Sequence, residues 1–405
     1  MKKQNIKIIL LTIINLLFPI IGLFINSLYY LLSNLSSQQK KIIFFNISFS
    51  LAFIGFLYYR IDNSGDVSKY SLSLYYYGQS MLNGRENIIT GIYESFYISW
   101  YFILYIFNKL SLDIQYINFL AGLTIYSSFL YLILELDKKY KAINIDKMLF
   151  VKVFLFISFI AIFSSYKTLW ALSLVSVGLY KLMNKEKLGY IFIFLGAGLH
   201  PVAWFPVLIY IISKYIKFKM IYLYISIVIG LSLKSFISIF NQFLNIPFIG
   251  NKINTYIYGD WGQYRFHDNS EYMKFYILVL FIIFIFFVVL YKFIDIKEKT
   301  DKYFAKYNNF ILWYFAISLW FVSFRTIETR LLLDGGIFFF PLFYQLFLNR
   351  KIYKKRLLSF IILIIWFIMI DFRTLNFWNN SYAIGSGFPL NLVESPVLLI
   401  LKGLI

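Results

Sequence analysis

The run "LGYIFIFLGAGLHPVAWFPVLIYII", Leu188 to Ile212, is apolar enough for lipid, yet it carries His200, one of two histidines in a 405-residue chain, followed at once by Pro201. Lys185 and Lys187 precede it, and Lys214, Lys217 and Lys219 follow. Lysine clusters beside apolar runs mark cytoplasmic loops, so both ends belong on one side and the run cannot be a single crossing. Pro201 removes a backbone donor and steers His200 away from helix. Two short helices are therefore expected, entering from the cytoplasmic side, breaking at His200 and returning. Irregular backbone at membrane depth survives only where it is buried in protein or lines a wet cavity, and His200 is expected to line one.

Working outward, 60% apolar, 22% aromatic and 14% charged residues cannot be covered by a water-facing surface. Apolar runs long enough to cross ~30 Å of hydrocarbon recur from end to end, without the alternation of a membrane barrel. The expected fold is all-α and polytopic, about 10–12 transmembrane helices in one domain over residues 1–405. Outer loops are expected at 60–90, 240–272, 325–330 and 372–395. The first apolar run lacks a small-residue cleavage site and is read as retained. With no cysteine, disulfide and thiolate chemistry are excluded. The net charge of +20 punctuates the apolar runs, so it reads as topology and not as a nucleic-acid surface.

Five clusters are assigned to the cytoplasm: 138–147, 181–187, 214–219, 292–306 and 350–356. Under that constraint 149–163 pairs with 168–183, 219–239 with 273–292, and 309–324 with 331–348, each as an outward hairpin. With Lys40 and Lys41 inside, 42–59 delivers Arg60 outside. Only one of 91–108 and 115–136 can then cross. The first, containing "GIYESFYISWYF", is assigned to an outer re-entrant or interfacial helix. This threading puts Lys2, Lys3 and Lys7 outside unless the run 8–32, interrupted by Pro19, is itself irregular.

Arginine is distributed against lysine. Of eight arginines, Arg350 and Arg356 fall in a cytoplasmic loop, and Arg60, Arg85, Arg265, Arg325, Arg330 and Arg373 fall outside. A planar, permanently charged fork suits phosphate or carboxylate, although salt bridges to outer acids such as Asp260, Asp268 and Glu328 would also use it. The outer segments "RIDNSGDVSKY" (60–70), "YGDWGQYRFHDN" (258–269) and "SFRTIETR" (323–330) add acids and aromatics of the kind that stack on sugars. Lys167 stands between two expected spans as an isolated outer lysine. No HExxH, CxxC, GxSxG or P-loop pattern occurs, and no metal or cofactor is expected. Asp62 and Asp66 sharing a cation is the minor alternative.

The ordering R-x4-G-D-x3-Y (Arg60, Gly65, Asp66, Tyr70), then Glu94 opening an aromatic helix, resembles the EpsG family of Wzy-type polysaccharide repeat-unit polymerases. The similarity continues through "YKTLWALSLVSVGLYKLMNKEKLGYIFIFLGAGLH" with Lys167 and His200, and through "ETRLLLDGGIFFFPLFY" with Arg330. It covers roughly residues 40–345. Two positions depart from it: lysine stands at 167 where arginine is expected, and Pro201 follows a histidine usually followed by a small or polar residue. The resemblance implies a GT-C-like membrane glycosyltransferase in the bacterial cytoplasmic membrane, its site facing outward. Its substrate would be a polyprenyl-diphosphate-linked oligosaccharide, and membrane lipid and a chain-length regulator its other partners. A diphosphate is a good leaving group, so fixed positive charge matters more than a general acid. Arg60, Lys167, Arg325 and Arg330 are the candidates, with Arg265 and Tyr70 as further substrate contacts. The acceptor hydroxyl needs a base: Asp66 or His200 is favoured, with Glu94 positioning sugar hydroxyls. His200 as a helix cap, Asp66 as a turn residue and Glu94 as a helix-terminal charge are the structural alternatives. A flippase of the same lipid-linked sugar, or a ligase using a similar pocket, is the rival function.

Overall fold

The computed structural model describes residues 2–59, 70–75, 97–140, 147, 150, 159–243, 302–321, 327, 330–331, 334–339, 341–342 and 382–383. The helices are α1 (Lys2–Leu17), α2 (Pro19–Leu32), α3 (Ser37–Leu57), α4 (Ile98–Lys109), α5 (Ile114–Tyr140), α6 (Phe159–Met183), α7 (Gly189–Leu199), α8 (Trp204–Tyr215), α9 (Met220–Phe243) and α10 (Lys302–Ser318). Among the described residues, α3 and α5 are long and apolar enough to cross a membrane by length and composition. Among the described residues, the one departure from helix as regular structure is a two-residue antiparallel pairing of β1 (Tyr58–Tyr59) with β2 (Tyr382–Ala383). It ties the start of the expected 60–90 loop to the 372–395 segment.

One end of the bundle gathers the lysines. Lys40 pairs with Asp137 at 2.8 Å, joining the start of α3 to the end of α5. Lys139 lies 4.4 Å from the Tyr303 ring and donates to Asn184 at 3.2 Å, which brings the start of α10 and the end of α6 to the same place. Lys181 pairs with Glu186 there, and Lys147 donates to the Leu31 carbonyl. Among the described residues, the lysine clusters of 138–147 and 181–187 meet the start of α10 at one end of the bundle.

The break at His200 is present. The chain leaves the lysine-rich end as α7, and its glycines allow close packing on α6. A Cβ at Gly189 would stand 2.5 Å from the Gly178 carbonyl, and one at Gly196 would stand 2.6 Å from that of Ala171. His200 is extended (φ −154°, ψ 130°), a short 3-10 turn covers Pro201–Ala203, and α8 follows. Antiparallel packing on α10 carries α8 back. Its beginning meets the far end of α10, with Phe205 5.9 Å from Tyr314 and 5.7 Å from Phe321. Just past its end, the Ile216 carbonyl accepts from Asn309 and Trp313, each at 3.0 Å.

One alternative left open is decided and three expectations are corrected. The run 8–32 is a hairpin: Gln4 of α1 donates to the Asn34 carbonyl beyond the end of α2, and Gln39 at the start of α3 donates to Asn5. Lys2, Lys3 and Lys7 therefore lie at the lysine-rich end and not opposite it. Pro19 explains the turn, because it sits at the first position of α2, where a missing N–H costs nothing. Second, no break separates 149–163 from 168–183. Helix α6 runs through Lys167, since "FIAIFSSYKTLW" contains no glycine or proline to stop it. Third, the run 331–348 does not open as an α-helix; residues 334–339 form a 3-10 segment containing Gly335 and Gly336. Fourth, the expected 240–272 loop starts later, because α9 extends to Phe243. The run 91–108 yields only the twelve-residue α4. Its first part and the run 273–292 lie outside the described residues.

Candidate functional site

Helix α6 holds Lys167 nine residues from its start, more than nine-tenths buried. An ammonium at such a place needs compensation, since a charge removed from water without partners is costly. Aromatic faces supply part of it. Nζ lies 3.9 Å from the centroid of Tyr97, 4.4 Å from that of Trp100 and 5.6 Å from that of Tyr70. These are cation–π distances, and the rings fix the position of the charge. The rings brace one another: Tyr70 stands edge-on to Trp100 at 5.1 Å and to Tyr166 at 5.2 Å. Asn108 donates to the Leu74 carbonyl at 3.0 Å, fastening the 70–75 segment to α4.

His200 adjoins this box. Its ring meets Tyr97 edge to face at 5.7 Å, and it is 7% exposed. Its Nδ1 accepts the Val202 N–H at 3.2 Å. That geometry explains the costly His-Pro pair: an extended residue whose side chain accepts from the second helical N–H is an N-cap, and proline is favoured at the next position. A neutral imidazole accepting at Nδ1 carries its proton on Nε2. Gly198 completes the fit, since a Cβ there would collide with Ser99 Oγ and stand 2.9 Å from the Ser99 N. The beginning of α4 is thus seated directly on the end of α7. Tyr97, which precedes α4, makes no side-chain cap to it.

Of the residues singled out from sequence, the fold brings Tyr70, Lys167 and His200 together around Tyr97. Arg330 is half-buried one packing layer away. The carbonyl of its neighbour Leu331 accepts from Tyr314 at 2.6 Å, and Tyr314 packs on Phe205, five residues beyond His200. Arg60, Asp66, Glu94, Arg265 and Arg325 lie outside the described residues; Arg60 directly follows β1. Lys167 is corrected from an outer loop to a helix interior. Sequence reading missed Tyr97, Ser99, Trp100 and Gly198. The available signal was the aromatic density of "YESFYISWYF", which was read as an interfacial belt. Among the described residues no group of three or more His, Cys, Asp or Glu side chains could hold a metal.

A helical, lysine-sided bundle with apolar helices long enough to cross a membrane, and with an ammonium and an imidazole buried beside the break at His200, defines the class: a membrane protein. The family model named EpsG matches residues 86–384, most of the chain and all of α4 to α10. The chain therefore belongs to the EpsG family of Wzy-type polymerase-like membrane proteins, which suggests a membrane protein of polysaccharide biosynthesis. No curated protein and no solved structure matches it.

Proposed function

We propose that this protein polymerises polyprenyl-diphosphate-linked oligosaccharide units into surface polysaccharide, on the outer face of the cytoplasmic membrane. The observation that carries this reading is the Lys167 ammonium, buried in α6 and boxed by Tyr97, Trp100 and Tyr70. In the reaction an acceptor hydroxyl attacks the anomeric carbon of the growing glycan. The bond from that carbon to the diphosphate oxygen breaks, and the carrier diphosphate departs with the electron pair. Preorganised positive charge where the leaving oxygen becomes anionic lowers that barrier most effectively in a site from which water is excluded. Lys167 has the charge, the burial and the fixed position, and Arg330 is a second cation near the same hairpin. Tyr97, Tyr70 and Trp100 offer faces on which a sugar ring stacks.

The capping bond narrows the role of His200. With Nδ1 accepting from Val202, Nε2–H is a donor and binds a sugar or phosphate oxygen. The proton of the acceptor hydroxyl then falls to Asp66 or Glu94. A flippase or a ligase remains distinguishable by experiment. In a deletion strain, loss of a polymerase leaves single repeat units capped on lipid. Loss of a flippase leaves none outside, and loss of a ligase leaves long chains unattached. Single-unit material in the deletion strain, restored to long chains by the wild-type chain but not by Lys167→Met, is the expected result. Long unattached chains would remove the polymerase reading.

A further inference from the structure

We propose that α1 and α2 form a re-entrant wedge that enters and leaves the membrane on the lysine-rich side without crossing it, with lipid acyl chains covering its outward face. Four observations carry this. The first is closure: Gln4 bonds to the Asn34 carbonyl and Asn5 to Gln39, so both open ends lie beside Lys40, while Phe18 and Pro19 form the tip. The second is length. Helices of 16 and 14 residues rise about 24 and 21 Å, too short for ~30 Å of hydrocarbon, whereas α3 beside them has 21 residues and rises about 31 Å.

The third observation is where the polar groups go. Asn15, Asn26, Asn46 and Ser50 are each at most 1% exposed and bond to one another across the three helices. Asn26 donates to Asn15 at 3.3 Å, Asn46 to Asn26 at 3.1 Å, Ser50 to Asn15 at 2.7 Å, and Asn15 to the Asn46 carbonyl at 3.0 Å. A hydrocarbon solvent demands such internal pairing. Close approach at the tip is set by Gly22, where a Cβ would stand 2.5 Å from the Asn15 Cα.

The fourth is the outer face. Ile6, Ile9 and Ile13 on α1 and Phe24, Leu28 and Leu32 on α2 are all between 47% and 76% exposed, from base to tip. Among the described residues up to Asn34, the exposed polar side chains Asn5, Lys7 and Asn34 lie at the base and form no rim around this face, unlike a site for a protein partner. The charges sit only at the base, where exposed Lys7 and Lys41 stand level with anionic headgroups.

The chain has no native cysteine, so single introduced cysteines report cleanly. In the full-length protein, Gln4→Cys, Asn34→Cys and, as reference for the α6–α7 turn, Lys187→Cys are exposed to an impermeant maleimide in right-side-out and inside-out vesicles. All three are expected to react from the same face. Reaction of Gln4→Cys and Asn34→Cys from opposite faces would overturn the wedge. If all three react together from outside, the wedge stands, and the cell orientation under the proposed function is what fails. A fluorophore at Phe24→Cys is expected to lose its emission to quenchers attached along lipid acyl chains. Retained emission, or cross-linking of that cysteine to a second copy, would overturn acyl chains as the occupant.

Discussion

Two hairpins in this molecule are broken by proline and open toward the lysine-rich end, and they differ in what lies at the break. Near Phe18-Pro19 the side chains of Asn15, Asn26, Asn46 and Ser50 bond to one another across the three helices. At His200-Pro201 the neighbours are an ammonium set against π faces and an imidazole whose Nδ1 accepts from the backbone. A ring face orients a cation and leaves its charge intact. Under the proposed function the first arrangement is a joint between helices, and the second places a cation and an imidazole where a substrate would use them. The family match, residues 86–384, takes in Tyr97, Trp100, Lys167 and His200 and leaves out the first hairpin, and Tyr70 of the aromatic box with it.

The largest expected effect separates the two regions outright. Lys167→Met should abolish chain extension, a loss of ~10²-fold or more for a missing electrostatic stabiliser. Membrane level and melting temperature should hold or rise, since a buried cation has been removed. Lys167→Arg should still extend chains, because a guanidinium also stacks on aromatic faces. Glycan length on a gel and detergent melting curves check both. Normal chains from Lys167→Met would make Lys167 structural and erase the contrast.

Next comes the seat of α4 on α7. Gly198→Val forces a side chain onto Ser99, so Tyr97 and Trp100 should shift from Lys167, and extension should fall as far as with Lys167→Met. Unlike that variant, it should also lower the melting temperature, because overpacking costs about 1–3 kcal/mol. Shortening the neighbour with Ser99→Gly in the same chain should recover part of both losses. No recovery would mean that the contact is not what limits the variant.

How far these features were legible follows from the kind of physics involved. The break at His200 could be read because proline chemistry and lysine placement are local and one-dimensional. The all-helical bundle followed from hydropathy. The first hairpin was left open, because Lys2, Lys3 and Lys7 argued one way and the run length 8–32 the other. What decides it is the Asn15–Asn26–Asn46 network, which needs the contact of three helices. Lys167 was misplaced because a lone lysine in an apolar run reads as a loop marker. Only tertiary packing from the 70–75 segment and α4 shows how a helix interior holds it. Tyr97 and Trp100 were invisible as individuals in a chain with 35 tyrosines and 8 tryptophans.

A smaller effect tests the cap against the contact at His200. Asparagine is a good N-cap, so His200→Asn should preserve the break and the melting temperature while removing the Nε2 donor. Chain extension should fall by roughly tenfold, the worth of one hydrogen bond of about 1.5 kcal/mol to a charged group. His200→Leu should lose both cap and donor. Equal extension by wild type and His200→Asn would assign the histidine to capping alone.

The smallest effect belongs to the joint. Asn26→Leu removes the side chain that donates to Asn15 and the Gly22 carbonyl and accepts from Asn46. In water, stranding those partners would cost about 1–3 kcal/mol, but within a bilayer interhelical hydrogen bonds average nearer ~0.6 kcal/mol. Asn46 also keeps its bond to Thr12. A modest drop in melting temperature with unchanged glycan length is therefore expected. Because this cluster lies outside the family match, a change in chain length from Asn26→Leu would show that the two hairpins are coupled. The contrast between a joint and a site would then have to give way to a single polar core.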